Sequence, residues 1–216
     1  MQRGFFITFE GSEACGKSTQ IRLLADRLKE HNFRVTLTRE PGGTSIGEEI
    51  RHLLQFSPAN GAMTPEAELL LFTASRAQLV REMILPSLRD GVTVIADRFF
   101  DSTTVYQGVA RAIDPAKVKL INEFAVGECR PDLTFLLDLD CESARQRMAQ
   151  RANPSGAKDR MEQEPMEFYQ AVRRGYLDLA QAEPNRVRVI DGSGSVEEVH
   201  QLIWNHVESL LSVISR

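Results

Sequence analysis

The chain of 216 residues is 42% hydrophobic, which is long enough for a single α/β domain over 1–216 with a substantial core and too short for two. A formal charge of −4 gives no basic field, which argues against a nucleic-acid partner, and no run approaches the roughly 18 apolar residues of a membrane span. Cys15, Cys129 and Cys141 form no C-x-x-C and no metal-like spacing with His31, His52, His200 or His206, and the start lacks the apolar run and cleavage site of a signal peptide, so neither a zinc site nor a disulfide framework is expected and a cytoplasmic protein is.

The first predicted strand, Phe5 to Phe9, leads into Gly11-Ser12-Glu13-Ala14-Cys15-Gly16-Lys17-Ser18. After that loop, Ile21, Leu24, Ala25 and Leu28 recur at helical spacing. Val35 to Thr38 reads as a second buried strand and ends at Arg39. A long helical stretch, with Phe72 and Arg76 four residues apart, runs on until Gly91. Val92 to Ala96 is a third strand and ends in Asp97. Asp114-Pro115 supplies an N-cap and a first-turn proline for the next helix. Leu133 to Leu139 is a fourth strand. The Arg-bearing helical region after it is interrupted by Asn153-Pro154-Ser155-Gly156, which reads as a mobile lid over about 147–160. Val187 to Ile190 is the fifth strand. Ser195 and Glu198 form a capping box for a last helix whose apolar face is Val199, Leu202, Ile203, Val207, Leu210 and Leu211. Buried strands alternating with helices predict an α/β fold: a five-stranded parallel sheet of P-loop NTPase type, with helices on both faces and ligands beyond the carboxyl ends of the strands.

The loop from Gly11 to Ser18 matches G-x-x-x-x-G-K-[ST] between a predicted strand and a predicted helix, the context that gives the pattern meaning. Its glycines let backbone N–H groups close on phosphate oxygens at the positive end of a helix. Lys17 adds charge, Ser18 offers a hydroxyl to Mg²⁺, and Thr19 opens the helix behind them. ATP is the expected phosphoryl donor. Asp97, an acid after an apolar strand, is the second candidate magnesium ligand, although a turn acid has the same pattern.

A switch GTPase shares such a loop, but its guanine-reading N-K-x-D is absent here. The only D-x-x-G, Asp191-Gly192-Ser193-Gly194, follows the last strand and is expected beside the adenine base. Transfer between two phosphorylated substrates needs cations to gather their charge. Arg39 and Arg98 follow strands, Arg76 lies on the Phe72 helix, and Arg151 and Arg160 flank the lid. Solvated surface charge is the plainer reading of each alone. Another P-loop nucleotide or deoxynucleoside kinase also fits these features, and a non-catalytic nucleotide switch fits them less well.

Thr38-Arg39-Glu40-Pro41-Gly42-Gly43-Thr44, Phe72-Thr73-Ala74-Ser75-Arg76, Asp97-Arg98-Phe99 and Asp101-Ser102-Thr103-Thr104-Val105-Tyr106-Gln107-Gly108 occur in the order found in bacterial thymidylate kinases. With Arg130-Pro131-Asp132 and Asp159-Arg160, the resemblance covers nearly the whole chain. It implies phosphorylation of dTMP to dTDP with ATP and Mg²⁺ by a cytosolic homodimer. Carried onto this sequence, it implies that Phe72 stacks on thymine while Arg76 and Thr103 bond its edge, in a pocket that includes Ser102. Arg98 and the turn of Arg39, Glu40 and Pro41 would hold the acceptor phosphate. Tyr106 and Gln107 would wall the deoxyribose, and Glu13 would face its 3′-hydroxyl. Positions 12 to 15 carry no Arg, so the transition-state cation would come from the lid, with Arg151 favoured and Arg160 second. Ala14 stands where the family usually has Gly, which calls for a negative φ. Cys15 stands where it has a small residue, and is expected to act as a filler.

Overall fold

The computed structural model describes residues 3–150 and 160–214. Five strands, β1 (Phe6–Glu10), β2 (Val35–Arg39), β3 (Thr93–Asp97), β4 (Leu133–Asp138) and β5 (Val187–Asp191), form one parallel sheet in the order β2-β3-β1-β4-β5. All five fall where apolar runs predicted them, because a strand covered on both faces reads as a continuous apolar stretch. β1 lies at the centre, wholly buried.

The helices among the described residues are α1 (Lys17–Glu30), α2 (Ser45–Gln55), α3 (Pro65–Leu79), α4 (Leu85–Arg89), α5 (Phe100–Thr103), α6 (Pro115–Val126), α7 (Cys141–Gln150), α8 (Met166–Ala182) and α9 (Val196–Ile214). Two π-helical turns, Val80–Ile84 and Thr104–Ala110, continue α3 and α5. Period-two alternation divides the sheet between two cores. Ile7, Phe9, Ile95, Phe135 and Leu137 meet Leu24 and Leu28 of α1 and Ile203, Trp204 and Val207 of α9. On the other face, Phe6, Val94 and Ala96 pack with Leu79, Phe99 and Phe100, and Leu136 packs with Val105, Val172 and Tyr176.

The expected caps are present. Asp114 Oδ1 accepts Ala116 N at 2.9 Å, and Ser195 with Glu198 closes the box at the start of α9. One expectation for α9 is corrected: Leu202 is exposed. Trp204 takes the core position, stacking on His31 with Arg27 over its ring.

Register sets up the site. Phe9 and Arg39 both pair with Asp97, so three chain exits lie side by side at one edge of the sheet.

Candidate active site

The loop after β1 turns sharply enough to need special backbone. Gly11 has φ 131, and a Cβ there would come within 2.4 Å of the Leu137 carbonyl oxygen, so only glycine fits. Ala14 has φ 56, which corrects the expected negative value. The loop holds it in the left-handed region despite its Cβ, at about 1 kcal/mol or more. Ser12 Oγ is buried with no hydrogen-bond partner among the described residues. α1 starts at Lys17 with no acid in its first turn, so its positive end is available to an anion. Lys17 Nζ is folded onto the loop, donating to Ser12 O at 2.9 Å and Gly11 O at 3.2 Å. Cys15 is buried with its Sγ 3.7 Å from Lys17 Nζ, a packed filler as expected.

Ser18 Oγ donates to Asp97 Oδ2 at 3.2 Å. A hydroxyl and a carboxylate side by side at a phosphate loop suit a hard cation that keeps part of its water shell. Among the described residues no cluster of three or more His, Cys, Asp or Glu could hold a metal. The Asp191 turn comes close to the loop, since a Cβ on Gly192 would lie 3.2 Å from Cys15 O. Arg147 of α7 donates to Gly192 O at 3.1 Å.

One cleft joins this loop to the ends of β2 and β3. Glu13 to Ser18, Arg39, Glu40, Pro41, Phe72, Asp97, Arg98, Ser102, Thr103, Tyr106 and Gln107 line it. Arg98 sits at its centre with φ 72, a strained conformation of the kind found at functional positions. Its Nη2 donates to Glu13 Oε1 at 2.6 Å, and its guanidinium lies 5.1 Å above the Tyr106 ring. Burial works against its charge, but Glu13, Tyr106, Tyr176 and Glu10 outweigh burial and hold its pKa well above the usual arginine value.

Three sequence expectations are met differently. Arg76 is not among the cleft-lining residues; it is 1% exposed. Its Nε and Nη2 reach Glu40 Oε2 at 2.8 and 2.6 Å, Nη1 reaches Asn122 Oδ1, and Nη2 reaches Phe99 O. A buried guanidinium needs such partners, so Arg76 here buttresses Glu40 from behind. Glu40, by the same pair, is a walled-in carboxyl rather than a free contact. Burial pushes its pKa up to about 7 against the pull of Arg76, and its Oε1 has no hydrogen-bond partner among the described residues. Arg160 pairs with Glu68, a buried carboxylate of α3 that also accepts from Gln107 Nε2 at 2.7 Å and from Arg111. It is held off the cleft in this arrangement. Arg39 pairs with Glu48 at 2.8 Å. Arg151 and the Asn153 to Gly156 gap lie outside the described residues.

Sequence reasoning missed Arg51, Gln55 and Met161, which line the cleft. Arg51 Nη1 bonds Pro41 O at 2.9 Å; its position two turns into the helix after the Arg39 turn was the available signal. It also missed Glu10, the last residue of β1, which is fully buried and whose pKa is raised by burial and by Asp101, with Arg98 opposing.

Comparison with known proteins decides the family. The model of the thymidylate kinase family matches residues 9–203. The chain belongs to the thymidylate kinase family. A thymidylate kinase from Syntrophotalea carbinolica is 47% identical over 213 residues, covering 97% of each chain. One from Symbiobacterium thermophilum is 50% identical over 206 residues, covering 95% of this chain and 94% of the relative. The structure of a thymidylate kinase from Ehrlichia chaffeensis superposes with a TM-score of 0.75 at 36% identity, covering 95% of this chain and 99% of that one. Membership makes the protein a nucleoside monophosphate kinase, and the parallel sheet with its phosphate loop is the fold that the alternating strands and helices predicted.

Proposed function

We propose that the cleft carries out the family reaction, phosphorylation of dTMP to dTDP by ATP with Mg²⁺, with donor and acceptor held on either side of Arg98. The observation that carries this reading is the continuity of the cleft: the phosphate loop and the Phe72, Tyr106 and Gln107 wall line one space, and Arg98 is bonded to Glu13 inside the loop. Gly11 to Thr19 hold the donor phosphates through backbone N–H groups, with Lys17 swinging from the loop carbonyls to a phosphate oxygen. Ser18 and Asp97 hold the cation. Bound Mg²⁺ supplies charge neutralisation across the donor phosphates.

On the acceptor side, Phe72 offers the base an aromatic face and Thr103 a hydroxyl. Tyr106 and Gln107 wall the sugar, and Glu13 lies where its 3′-hydroxyl would come. Arg98 and Arg39, with Arg51 beside the Pro41 carbonyl, form a cationic cluster suited to an acceptor that already bears a phosphate. That cluster separates a monophosphate kinase from a deoxynucleoside kinase. Arg151 is assigned the transition-state charge on the resemblance. The enzyme works as a homodimer in the cytoplasm; exposed Leu70, Leu120 and Phe124 on α3 and α6 support self-association.

A coupled ADP-release assay tests the reading. Turnover of dTMP is expected to exceed that of UMP, CMP, AMP and GMP by about 100-fold or more in kcat/KM, as for a site that reads hydrogen-bonding groups. Equal rates with all five refute it.

A further inference from the structure

Besides Glu13 and the Tyr106 ring, two hydroxyl groups hold Arg98 in place. Its Nη1 lies 3.2 Å from Ser102 Oγ and 3.2 Å from Tyr176 OH. An arginine offers only donors, so each hydroxyl must meet it with a lone pair and send its proton elsewhere. The two hydroxyls also lie 2.9 Å apart, where either could donate to the other, but the shorter contact of each runs to one carboxylate oxygen. Ser102 Oγ donates to Glu10 Oε2 at 2.6 Å, and Tyr176 OH donates to the same oxygen at 2.7 Å. The other oxygen, Oε1, accepts Phe99 N at 2.8 Å and Ser102 N at 3.3 Å. Four donors thus converge on the two oxygens of a fully buried side chain, which is used as an acceptor only. Strand alternation turns Glu10 to the face shared by Phe6 and Thr8, where α5 and α8 pack, while its backbone runs straight on into Gly11 of the phosphate loop.

The backbone is held by the same group. Arg98 has a left-handed φ of 72, and the peptide after it is anchored by the Phe99 N to Glu10 bond, while Arg98 N itself donates to Phe9 O at 2.9 Å. A strained residue persists where its surroundings over-determine it. The carboxylate that ends β1 does so for Arg98 through main chain and side chain together.

We propose that Glu10 is a positioning residue of this enzyme: it orients the Ser102 and Tyr176 hydroxyls as acceptors, and so fixes the Arg98 guanidinium where it meets the acceptor phosphate beside the phosphate loop. In Glu10→Gln the amide NH₂ becomes a donor toward the hydroxyls, their protons turn to Arg98, and the guanidinium is pushed off its seat.

The inference rests on the reading that Arg98 grips the acceptor phosphate, and the test separates the two by comparing dTMP with thymidine, which has no phosphate to grip. By calorimetry, Glu10→Gln is expected to weaken dTMP binding about tenfold, the order of one charged hydrogen bond, and thymidine binding less than twofold. Equal weakening of both, as general damage to the pocket would give, overturns the proposal, as does no change in either. Tyr176→Phe keeps the ring and removes one oriented hydroxyl. It is expected to weaken dTMP about threefold without affecting thymidine, and decides the matter if Glu10→Gln does not fold; unchanged dTMP binding overturns the proposal. Arg98→Ala must itself weaken dTMP selectively. If it weakens both ligands alike, the clamp reading fails and the inference with it. If it is selective and Glu10→Gln is not, only the role of Glu10 fails.

Discussion

Glu40 is an acid whose surroundings pull it both ways. Arg76 attracts its charge from one side, yet full burial dominates and raises the pKa from 4.5 to about 7. A carboxyl that binds its proton more tightly folded than unfolded gives the folded state the larger proton count between those two values, so its contribution to stability falls as pH rises through that window. Glu40→Gln cannot ionise and has no such loss. The variant is therefore expected to gain on the unmodified protein between pH 5 and pH 8, by up to about 3 kcal/mol at about 1.4 kcal/mol per pH unit. Thermal unfolding of both proteins at the two pH values checks this. The opposite trend would mean that the Arg76 pair outweighs the cost of burial. Arg76 also shows where residue-level reading stops. Spacing puts Phe72 and Arg76 on one face of α3, which is correct, but which of them meets the cleft is decided by Glu40 and Asn122, partners 36 and 46 positions away in the chain. Glu10 was hidden for the same reason, since its donors come from the end of β3 and from α8.

At the scale of elements, Glu68 ties three of them together. It lies on α3 and is 1% exposed. It receives Gln107 from the π-helical turn, Arg111 just beyond it, and Arg160 from the approach to α8, where Arg111 also meets Glu164. Removing one member of a buried charge network leaves the others without compensation, at about 3–5 kcal/mol. Glu68→Ala is expected to lose that much in urea unfolding, and to loosen the Gln107 wall so that KM for dTMP rises. A loss below 1 kcal/mol would show that water reaches both guanidiniums and that the network does not bind the elements. The strands around it were legible, each from its apolar run, to within one residue at every end. The π-helical turns were not, because a widened turn has no local signature apart from an ordinary helix; what holds it here is packing, with a Cβ on Gly175 of α8 coming within 3.1 Å of Val109 and 3.2 Å of Val105. The phosphate loop was the most legible part of the site, since its chemistry is carried by consecutive residues. The acceptor wall drew on four separate segments, and only the family resemblance assembled them in advance.

For the whole molecule the open question is what covers the apolar side chains left outside. Leu120 and Phe124 of α6 are 67% and 82% exposed, one turn apart on the same face, and Leu70 of α3 is 56% exposed. α3 packs against both α2 and α6, and α2 itself exposes Ile46 and Leu53, with Phe56 exposed just past its end. Full burial of each such side chain returns about 1.5–3 kcal/mol, and a two-fold interface uses every one of them twice. The same helix α3 carries Phe72 and Glu68, so in the proposed homodimer an interface over these side chains would brace the acceptor wall from outside. In the proposed homodimer Phe124→Asp would set two like charges against each other across the interface, and the variant is expected to sediment as a monomer at equilibrium where the unmodified protein sediments as a dimer. Linkage gives a second measurement: the unfolding temperature of the unmodified protein should climb with protein concentration, and that of Phe124→Asp should not. A variant that stays dimeric would put the interface elsewhere on the surface, and an unmodified protein that sediments as a monomer would refute the dimer itself.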